Sequence, residues 1–258
     1  MRSRRLTAVA ATAGIVALRQ TRRAVVMRPG LRVLRAFLAA VALAALGVII
    51  APPAIADMGC GRGQPPPGAA RKDVGDVYGQ PATLWLTNRV VGITTNQGYG
   101  EAAIPSPSPI ERTALLVDAQ RDGNHQIIVD AGREAHLYAV SGCTITPVID
   151  ESGACLALAR CLPGMPFLFD MGHRAGNGDG IGCDDMGAGR RLVALLPKAD
   201  NGQLTVRRTE IDVNGTTATV GRTDTVTAPS ENDPAWTTAH TISCGNLTIA
   251  RDGLRAGN

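Results

Sequence analysis

The feature that most restricts the fold is a series of ten short segments rich in β-branched and apolar residues, separated by Gly, Asp and Asn. Segments of this kind between turn residues are typical of β-strands. They cover residues 82–95, 113–118, 126–132, 134–140, 143–150, 165–170, 190–196, 203–213, 216–228 and 240–250. Asn214-Gly215 between two of them is a strong hairpin signal, and only the short segment from Cys155 to Cys161 has a helical pattern. The sequence predicts an all-β domain.

The first 56 residues have the three parts of a secretory signal. From Met27 onward, arginines precede an apolar run, Phe37–Ile50, which forms the signal helix, and Ala54-Ile55-Ala56 supplies a cleavage site. The run is shorter than the ~20 residues of a membrane span. We therefore expect cleavage after Ala56, no stable membrane span after signal removal, and a secreted, extracellular or cell-envelope location.

The stretch before Met27 leaves the start codon and the export route open. Arg4-Arg5 and Arg22-Arg23 each resemble part of a twin-arginine signal. A start codon assigned upstream of the true one, at Met27, explains the extra length equally well. Both interpretations take the protein out of the cytoplasm.

The rest of the chain is long enough for one ordinary domain. Residues 57–72 are rich in Pro and Gly and are predicted to be an extended lead-in, and residues 73–254 a single all-β domain. The signal holds nine of the 26 basic residues and no acidic residue, so 17 basic residues face 22 acidic ones in the mature chain. A nucleic-acid binder needs surplus positive charge, so nucleic-acid binding is disfavoured.

All six cysteines follow the expected cleavage site. An even number in an exported chain predicts three disulfides, and no C-x2-C pair of the kind found in zinc sites is present. Cys155 and Cys161 are close in sequence, and we expect them to form a local bridge. Six cysteines allow fifteen connectivities; for the other four we expect Cys143 to pair with Cys183 and Cys60 with Cys244.

Three predicted strands share an entrance rich in Asp and Gly. Asp118 and Asp185 lead the two clearest copies, and Asp76 leads a fainter one, at intervals of 42 and 67 residues. The longer interval contains the additional region from Cys143 to Pro166. A period near 42 fits the four-stranded blade of a β-propeller. The chain is therefore predicted to form a small, disulfide-stapled, propeller-like array of about four to five degenerate antiparallel blades.

At these turns the sequence resembles the FG-GAP or VCBS-type repeat, the unit of the integrin α-subunit N-terminal propeller and of many secreted bacterial proteins. The resemblance covers three stretches of about a dozen residues, and literal FG and GAP signatures are absent. In that family the turn reads D-x-[DN]-x-D-G-x-x-[DE] and binds calcium. The resemblance implies weak calcium binding by Asp118, Gln120, Asp122, Asn124 and Gln126.

Two positions of this turn depart from the family pattern, because Gln120 and Gln126 replace acidic or Asn residues. The simpler interpretation is that the side chains cap the turn by accepting hydrogen bonds from its amides. The glycine-rich run Gly176–Gly182 has the same two interpretations. It is either a second cation loop with Asp170 or Asp184, or a flexible tight turn.

No common catalytic motif is present in the sequence, and His125, His136, His173 and His240 are scattered. A pair of carboxylates for glycoside hydrolysis leaves no local spacing and stays open. Few aromatic residues are available for a carbohydrate-binding face: Trp85, Trp236, Tyr78 and Tyr99. Trp85 points opposite to its leucine neighbours, and we expect it to pack in a core.

These observations favour a secreted, non-catalytic β-propeller-like module that binds an unidentified protein or glycan or interacts with the cell surface. The alternative is an exported enzyme that acts on glycan or another envelope polymer through a carboxylate pair. A third interpretation is an envelope protein with a structural role and no specific ligand.

Overall fold

The computed structural model describes residues 60–153, 164–172 and 179–257, and this part of the chain is almost entirely β-structure. The prediction of an all-β domain is therefore confirmed. The signal, the predicted Cys155–Cys161 bridge and residues 176–178 of the glycine-rich run lie outside the described residues. In the described part, no helix has the length and apolar character needed to cross a membrane.

Sheet A is a four-stranded antiparallel meander. Its strands are β1 (Ala70–Val77), β2 (Gln80–Leu86), β3 (Val90–Thr95) and β4 (Gly98–Ala103). β1 begins inside the predicted lead-in, and its first residues alternate between half-buried and exposed. It forms a strand because its backbone pairs with β2 along the sheet edge.

Sheet B repeats the same meander. Its strands are β5 (Thr113–Val117), β6 (His125–Asp130), β7 (Glu134–Ser141) and β8 (Thr144–Pro147). Two short strands extend it: β10 (Leu168–Asp170) pairs with the first part of β7, and β17 (Leu254–Arg255) pairs with β5.

Sheet C is a third meander with longer strands. It contains β11 (Gly180–Asp185), β12 (Arg190–Asp200), β13 (Gln203–Asn214) and β14 (Thr217–Ala228), and β9 (Ile149–Asp150) runs parallel to β14. The hairpin predicted at Asn214-Gly215 is confirmed by the β13–β14 connection.

The flexible turn predicted over residues 176–182 is wrong for Gly180–Gly182, which belong to β11. Glycine is unfavourable in a strand, but this strand needs it. A Cβ at Gly180 would lie 2.7 Å from the backbone of Ala239. The close approach of the two backbones explains why a glycine occupies this position.

The remaining elements are short: α1 (Pro234–Thr238), β15 (Ser243–Cys244), β16 (Leu247–Thr248) and α2 (Ile249–Asp252). The segment 240–250, predicted as one strand, is thus two short strands and the start of a helix. α1 begins after Asp233, whose carboxylate accepts a hydrogen bond from the Ala235 amide at 2.9 Å. This N-cap and the proline that follows it favour a helix start.

Sheet B lies between sheets A and C and is buried on both faces. On one face, Ile127 and Val129 belong to a core that includes Leu84 of sheet A. On the other face, Ile128 belongs to a core that includes Leu192 of sheet C. Neighbouring residues of one strand point to opposite faces, which explains why β6 is apolar at consecutive positions. The three meanders therefore stack face to face in the order A, B, C.

Both described disulfides differ from the expected pairs. Cys60 pairs with Cys143, with Cα atoms 5.6 Å apart, and Cys183 pairs with Cys244, with Cα atoms 4.7 Å apart. The predictions of Cys143 with Cys183 and Cys60 with Cys244 are wrong. The lead-in runs beside the β3–β4 turn, where a Cβ at Gly98 would lie 2.8 Å from the Cβ of Cys60. Cys244 lies in β15, next to Cys183 in β11 of sheet C, whereas Cys143 follows β7 of sheet B and is within reach of Cys60. The disulfides themselves are typical of an oxidising compartment.

Candidate functional site: the corner face

The three Asp- and Gly-rich turns occupy equivalent places in the fold, because each joins the first and second strands of its four-stranded meander. Corner A (Tyr78-Gly79) joins β1 to β2. Corner B (Asp118–Asn124) joins β5 to β6. Corner C (Met186–Gly189) joins β11 to β12. The repeat seen in the sequence is therefore a repeat of structure.

The three corners also touch one another. The Tyr78 hydroxyl of corner A lies 2.8 Å from the Val140 carbonyl oxygen and 3.3 Å from Oδ1 of Asn124 in corner B. The ring of Tyr78 meets the ring of His125 edge-on, with centroids 5.7 Å apart. From the other side, Nη1 of Arg190, the residue after corner C, donates to the carbonyl oxygen of Asp118 at 2.9 Å. Corner B thus lies between corners A and C, and we call this continuous surface the corner face.

Corner A is a tight turn with both residues in the left-handed region, at φ 53 for Tyr78 and φ 71 for Gly79. This is the backbone of a two-residue hairpin turn. A tyrosine is unfavourable there because its Cβ crowds the backbone. The hydroxyl contacts to sheet B hold the side chain, which is 43% exposed. Corner A therefore presents an aromatic ring at the surface.

Corner B is closed by its own carboxylates. The Asp118 carboxylate accepts hydrogen bonds from the amides of Asp122 at 3.1 Å and Gly123 at 3.0 Å. The Asp122 carboxylate accepts from the amide of Asn124 at 2.9 Å and from its Nδ2 at 2.8 Å. Slight burial alone would raise the pKa of Asp122, but the hydrogen bonds from Asn124 and Gln120 hold it below its ordinary value. The corner is thus preorganised by its side chains.

The structure brings all five predicted calcium positions together in corner B and the first residues of β6. Oε1 of Gln126 accepts from the Ala119 amide at 3.1 Å, and its Nε2 donates to the carbonyl oxygen of Asn124 at 3.0 Å. Nε2 of Gln120 lies 3.4 Å from Asp122. The oxygens are arranged as caps of the turn, and a calcium ion would compete with these hydrogen bonds. The described residues contain no cluster of three or more His, Cys, Asp and Glu side chains that could hold a metal.

Corner C resembles corner B in how it is closed. The Asp185 carboxylate accepts hydrogen bonds from the amides of Gly187 at 2.6 Å and Gly189 at 3.1 Å. Both glycines have positive φ, at 103 and 87 respectively. The backbone of the turn thus favours glycine at both positions. This explains why neither position has the side-chain oxygen that the calcium pattern would require.

Both described disulfides lie at the same end of the molecule as the corner face. Cys143 lies in the turn after β7, close to Val140, whose carbonyl oxygen contacts the Tyr78 hydroxyl. Cys244 accepts a contact from Nη2 of Arg190 at 3.0 Å. These covalent links restrict the motion of the turns around the corners.

Of the two acids predicted to serve the glycine-rich run, Asp184 pairs with Arg208 at 2.6 Å on the outer face of sheet C. Asp179 instead faces Asp170 across a cleft of about 30 Å³ between sheets B and C. Burial and the charge of Asp170 raise the pKa of Asp179 to about 6, against the opposing effect of Arg207. A cleft of this volume is close to that of one water molecule, so it has no room for a sugar ring.

The candidate aromatic residues are not collected on one face. Trp85 is fully buried and stacks on Tyr99, with centroids 5.3 Å apart and an interplanar angle of 12°. The prediction that it packs in a core is confirmed. Trp236 is the buried residue of α1. Tyr78 is the most exposed of the four and lies on the corner face.

The chain matches no protein-family model, no curated protein and no solved structure. Sequence reasoning found the three turns but missed the contacts between them, since nothing near Arg190 in the sequence indicates a partner 72 residues away.

Proposed function

We propose that the chain is an exported, non-catalytic, β-propeller-like module of the FG-GAP or VCBS type. In this proposal the corner face binds a protein or glycan ligand outside the cell. Sheets A, B and C are three blades of the array, and each blade contributes one corner.

One observation carries the proposal: three equivalent turns from three stacked sheets adjoin at one end of the molecule. Binding sites are concentrated on loops that a rigid scaffold holds in place. Here the scaffold is the stack of sheets, and the corners are held by carboxylate caps, by contacts between corners and by disulfides nearby. Preorganised surfaces of this kind lose little entropy on binding.

The exposed groups of the corner face are chemically mixed. Tyr78 offers a ring beside that of the half-buried His125, Arg121 and Asp122 offer opposite charges, and Asn124 offers an amide. Aromatic rings beside hydrogen-bonding groups suit contact with a polar macromolecule such as a glycan or a protein loop.

A matched pair of photo-cross-linking variants tests this proposal. Arg121 is exposed at the tip of corner B, and Arg89 is exposed in the β2–β3 turn at the opposite end of sheet A. Each is replaced by a benzophenone amino acid in the mature protein, which is then irradiated with the envelope fraction and the medium of the producing cells. We expect a discrete adduct from position 121 and none from position 89.

The nature of the adduct decides the ligand class. Loss of the adduct after glycosidase treatment indicates a glycan, and loss after proteolysis of the partner indicates a protein. Equal labelling from both positions, or labelling from position 89 alone, would contradict a binding role for the corner face.

Calcium is a separate part of the proposal. Weak binding at corner B would raise the thermal unfolding midpoint in calcium relative to chelator, through mass action on the folded state. The Asp122→Ala variant would lose this rise, whereas the exposed Asp76→Ala variant would keep it. If the unfolding midpoint of the wild-type protein is the same in calcium and in chelator, corner B does not bind calcium. The proposed binding role of the corner face is unaffected by that result.

The enzyme alternative is favoured by one observation, the raised pKa of Asp179 beside Asp170. Because the cleft has no room for a sugar ring, this alternative needs the two carboxylates to reach a substrate bound outside the cleft. Hydrolysis of purified envelope glycan by the wild-type protein, lost in Asp179→Asn, would support it. If no hydrolysis is seen at pH 5 to 7, the enzyme alternative is excluded and the binding module is the proposal that stands.

A further inference from the structure

In the described part of the chain, the outer edge of β14 is open over most of its length. β9 covers only its first two residues, Thr217 and Ala218, and the Glu151 amide donates to the carbonyl oxygen of Ala218 at 3.1 Å. Among the described residues, no backbone group pairs with this edge from Thr219 to Ala228. An open strand edge presents a row of unpaired amide and carbonyl groups, to which another strand can bind.

The strand register shows which residues direct their backbone groups to this edge. Residues of a strand alternate between bonding to one neighbour and facing the other. Ala218, whose carbonyl oxygen is bonded to Glu151, faces the edge. Counted along β13, which lies opposite one extra residue of β14 at Glu210, every second residue pair has this same orientation. The residues of β14 that face the open edge are therefore Val220, Thr223, Thr225 and Thr227.

The open edge is accessible from both faces of sheet C. Val220 packs against the core between sheets B and C, but Thr223 and Thr225, further along on the same face, are exposed. On the outer face, 42% of the Asp224 side chain and 48% of the Arg222 side chain are exposed. Sheet B thus ends short of this part of β14, and a second strand can approach it without displacing another described element.

The sequence of β14 is complementary to itself about Thr223. When a second copy runs antiparallel with the two Thr223 residues opposite each other, Arg222 lies opposite the partner subunit's Asp224. Opposite charges in directly opposed positions stabilise an antiparallel pair, and like charges destabilise it. A parallel arrangement in the same register would oppose the two Arg222 side chains to each other. The charges therefore favour an antiparallel second copy.

The backbone groups match in the same register. The two Thr223 residues face each other, and Thr225 comes opposite the partner subunit's Val220 once the extra residue of the bulge is counted. All of these residues face the edge, so each pair can exchange two N–H···O bonds. β14 contains no proline and no lysine, which are residues that commonly prevent such pairing.

The two charged side chains are available for this contact. Arg208 binds the Asp224 carboxylate at 2.5 Å, and an ionised carboxylate can accept further hydrogen bonds. Arg222 is held loosely, since its ion pair with Glu210 has a length of 3.9 Å. In a single copy its guanidinium lies beside Gly187 of corner C. Rotation about the bonds of its long side chain can bring it to the edge.

We propose that the chain forms a two-fold dimer through β14. The edges of two copies pair antiparallel with Thr223 at the axis, so that the two C sheets become one continuous sheet. Such an interface is isologous, because the same patch of each copy contacts the other. Antiparallel pairing directs the two corner faces to opposite ends of the dimer. The dimer does not depend on the corner face having a ligand.

Sedimentation velocity of the mature protein tests the inference, at about 1 to 300 µM, pH 7 and low salt. Because a single strand edge is a small interface, we expect a monomer–dimer equilibrium with a dissociation constant in the micromolar range. Arg222→Asp opposes like charges and should raise this constant at least tenfold. Arg71→Asp, exposed on the edge strand β1, makes the same change in net charge and should leave the constant unchanged.

A second variant guards against a loss of folding. Arg222→Gln adds no charge beside the buried Glu210, and we expect it to weaken the dimer by a smaller factor at an unchanged unfolding midpoint. A monomer at every concentration would overturn the proposal, in favour of an edge that pairs with a strand of another protein or with none. An equal effect of Arg71→Asp would overturn the assignment of the contact to Arg222 and Asp224.

Introduced cysteines test the position of the axis. A residue at the axis lies next to its own copy, at a separation that a disulfide can bridge. Thr223→Cys is therefore expected to give a covalent dimer on oxidation, seen in non-reducing gels. Thr227→Cys, also exposed on β14, should give none, because the two copies of this position lie about 26 Å apart in this register. No cross-link from Thr223→Cys, or an equal one from Thr227→Cys, would overturn the register.

Discussion

Sheets B and C have the same four-stranded meander but differ in what their faces touch. Sheet B is apolar on both faces, and four consecutive residues of β6, Gln126–Val129, are buried. Sheet C packs one face on sheet B, whereas its other face carries ion pairs, such as Arg208 with Asp224 at 2.5 Å and Arg191 with Asp212 at 2.9 Å. The pattern along a strand thus indicates whether its sheet lies inside or at the end of the stack.

The ion pairs of sheet C also show how an end face is protected. A row of charges on a solvent face is compatible with water and discourages contact with other chains. Only part of this face is apolar, and there α1 covers it with Trp236 and Ala239. Sheet B has no such face to protect, because sheets A and C cover it.

The largest expected effect concerns the two disulfides. The Cys60–Cys143 link encloses sheet A and most of sheet B in a loop with a separation of 83 residues, and Cys183–Cys244 encloses most of sheet C in one of 61. The chain-entropy model gives about 4 kcal/mol for each. We expect Cys60→Ala with Cys143→Ala, and Cys183→Ala with Cys244→Ala, to lower the free energy of unfolding by this amount in urea titrations.

A much smaller loss in the second double variant would mean that contact with sheet B, rather than its own disulfide, holds sheet C. That outcome would sharpen the contrast between an inner and an end sheet. An equally small loss in both would show that the stack is stable without covalent links.

Core truncation gives the next largest effect and tests the two faces directly. Ile128→Ala in sheet B removes a fully buried side chain between two sheets, and we expect a loss of about 3 kcal/mol. Val226→Ala, partly buried on the outer face of sheet C, is expected to cost about 1 kcal/mol. Equal costs in chemical denaturation would contradict the assignment of sheet B to the interior.

The corners of the two sheets are expected to behave alike. Asp118 and Asp185 each accept two amide hydrogen bonds within their corners. Asp118→Ala and Asp185→Ala should each reduce the free energy of unfolding by about 1 to 2 kcal/mol, because the amides lose their acceptor. If one variant is neutral and the other is not, the two corners are not structural equivalents.

The smallest effect is a dependence on pH where sheets B and C meet. The pKa of Asp179 is raised to about 6, from 3.8 when unfolded. Its stabilising contribution is therefore complete below pH 3.8 and is lost as the pH rises through 6. Asp179→Asn should be more stable than wild type by about 1 kcal/mol at pH 7.5, after allowance for solvent screening.

This gain should be absent at pH 3.5, and the exposed Asp76→Asn should show no comparable difference between the two pH values. Thermal unfolding at both pH values measures it. A gain that persists at pH 3.5 would exclude charge at Asp179 as its cause.

The sequence predicts the inner strands well and the edge strands poorly. Four strands were missed, β1, β4, β11 and the two-residue β17, and all four lie at sheet edges. The sequences of the three longer ones, ARKDVGDV, GYGEAA and GIGCDD, are rich in charged residues and glycine. An edge strand packs fewer side chains, so backbone pairing with a neighbour overrides its weak intrinsic preference.

In the candidate site, too, the sequence predicts some features and not others. The carboxylate caps of corner B follow from residues within a single turn, so the spacing of Asp118 and Asp122 was enough to suggest them. The contacts of Tyr78 and Arg190 with corner B depend on how separate sheets stack, as do the disulfide pairs. No local pattern contains that information, which is why the pairing of Cys60 and Cys143 was missed.

The most direct test of the central claim, that the three corners adjoin as one face, is a nuclear Overhauser spectrum of the isotope-labelled mature protein. The account predicts cross-peaks between the ring protons of Tyr78 and His125, and between the side chain of Arg190 and Ala119, whose carbonyl oxygen lies 3.0 Å from Nη1. The absence of both, with the cross-strand peaks of sheet B present, would contradict it.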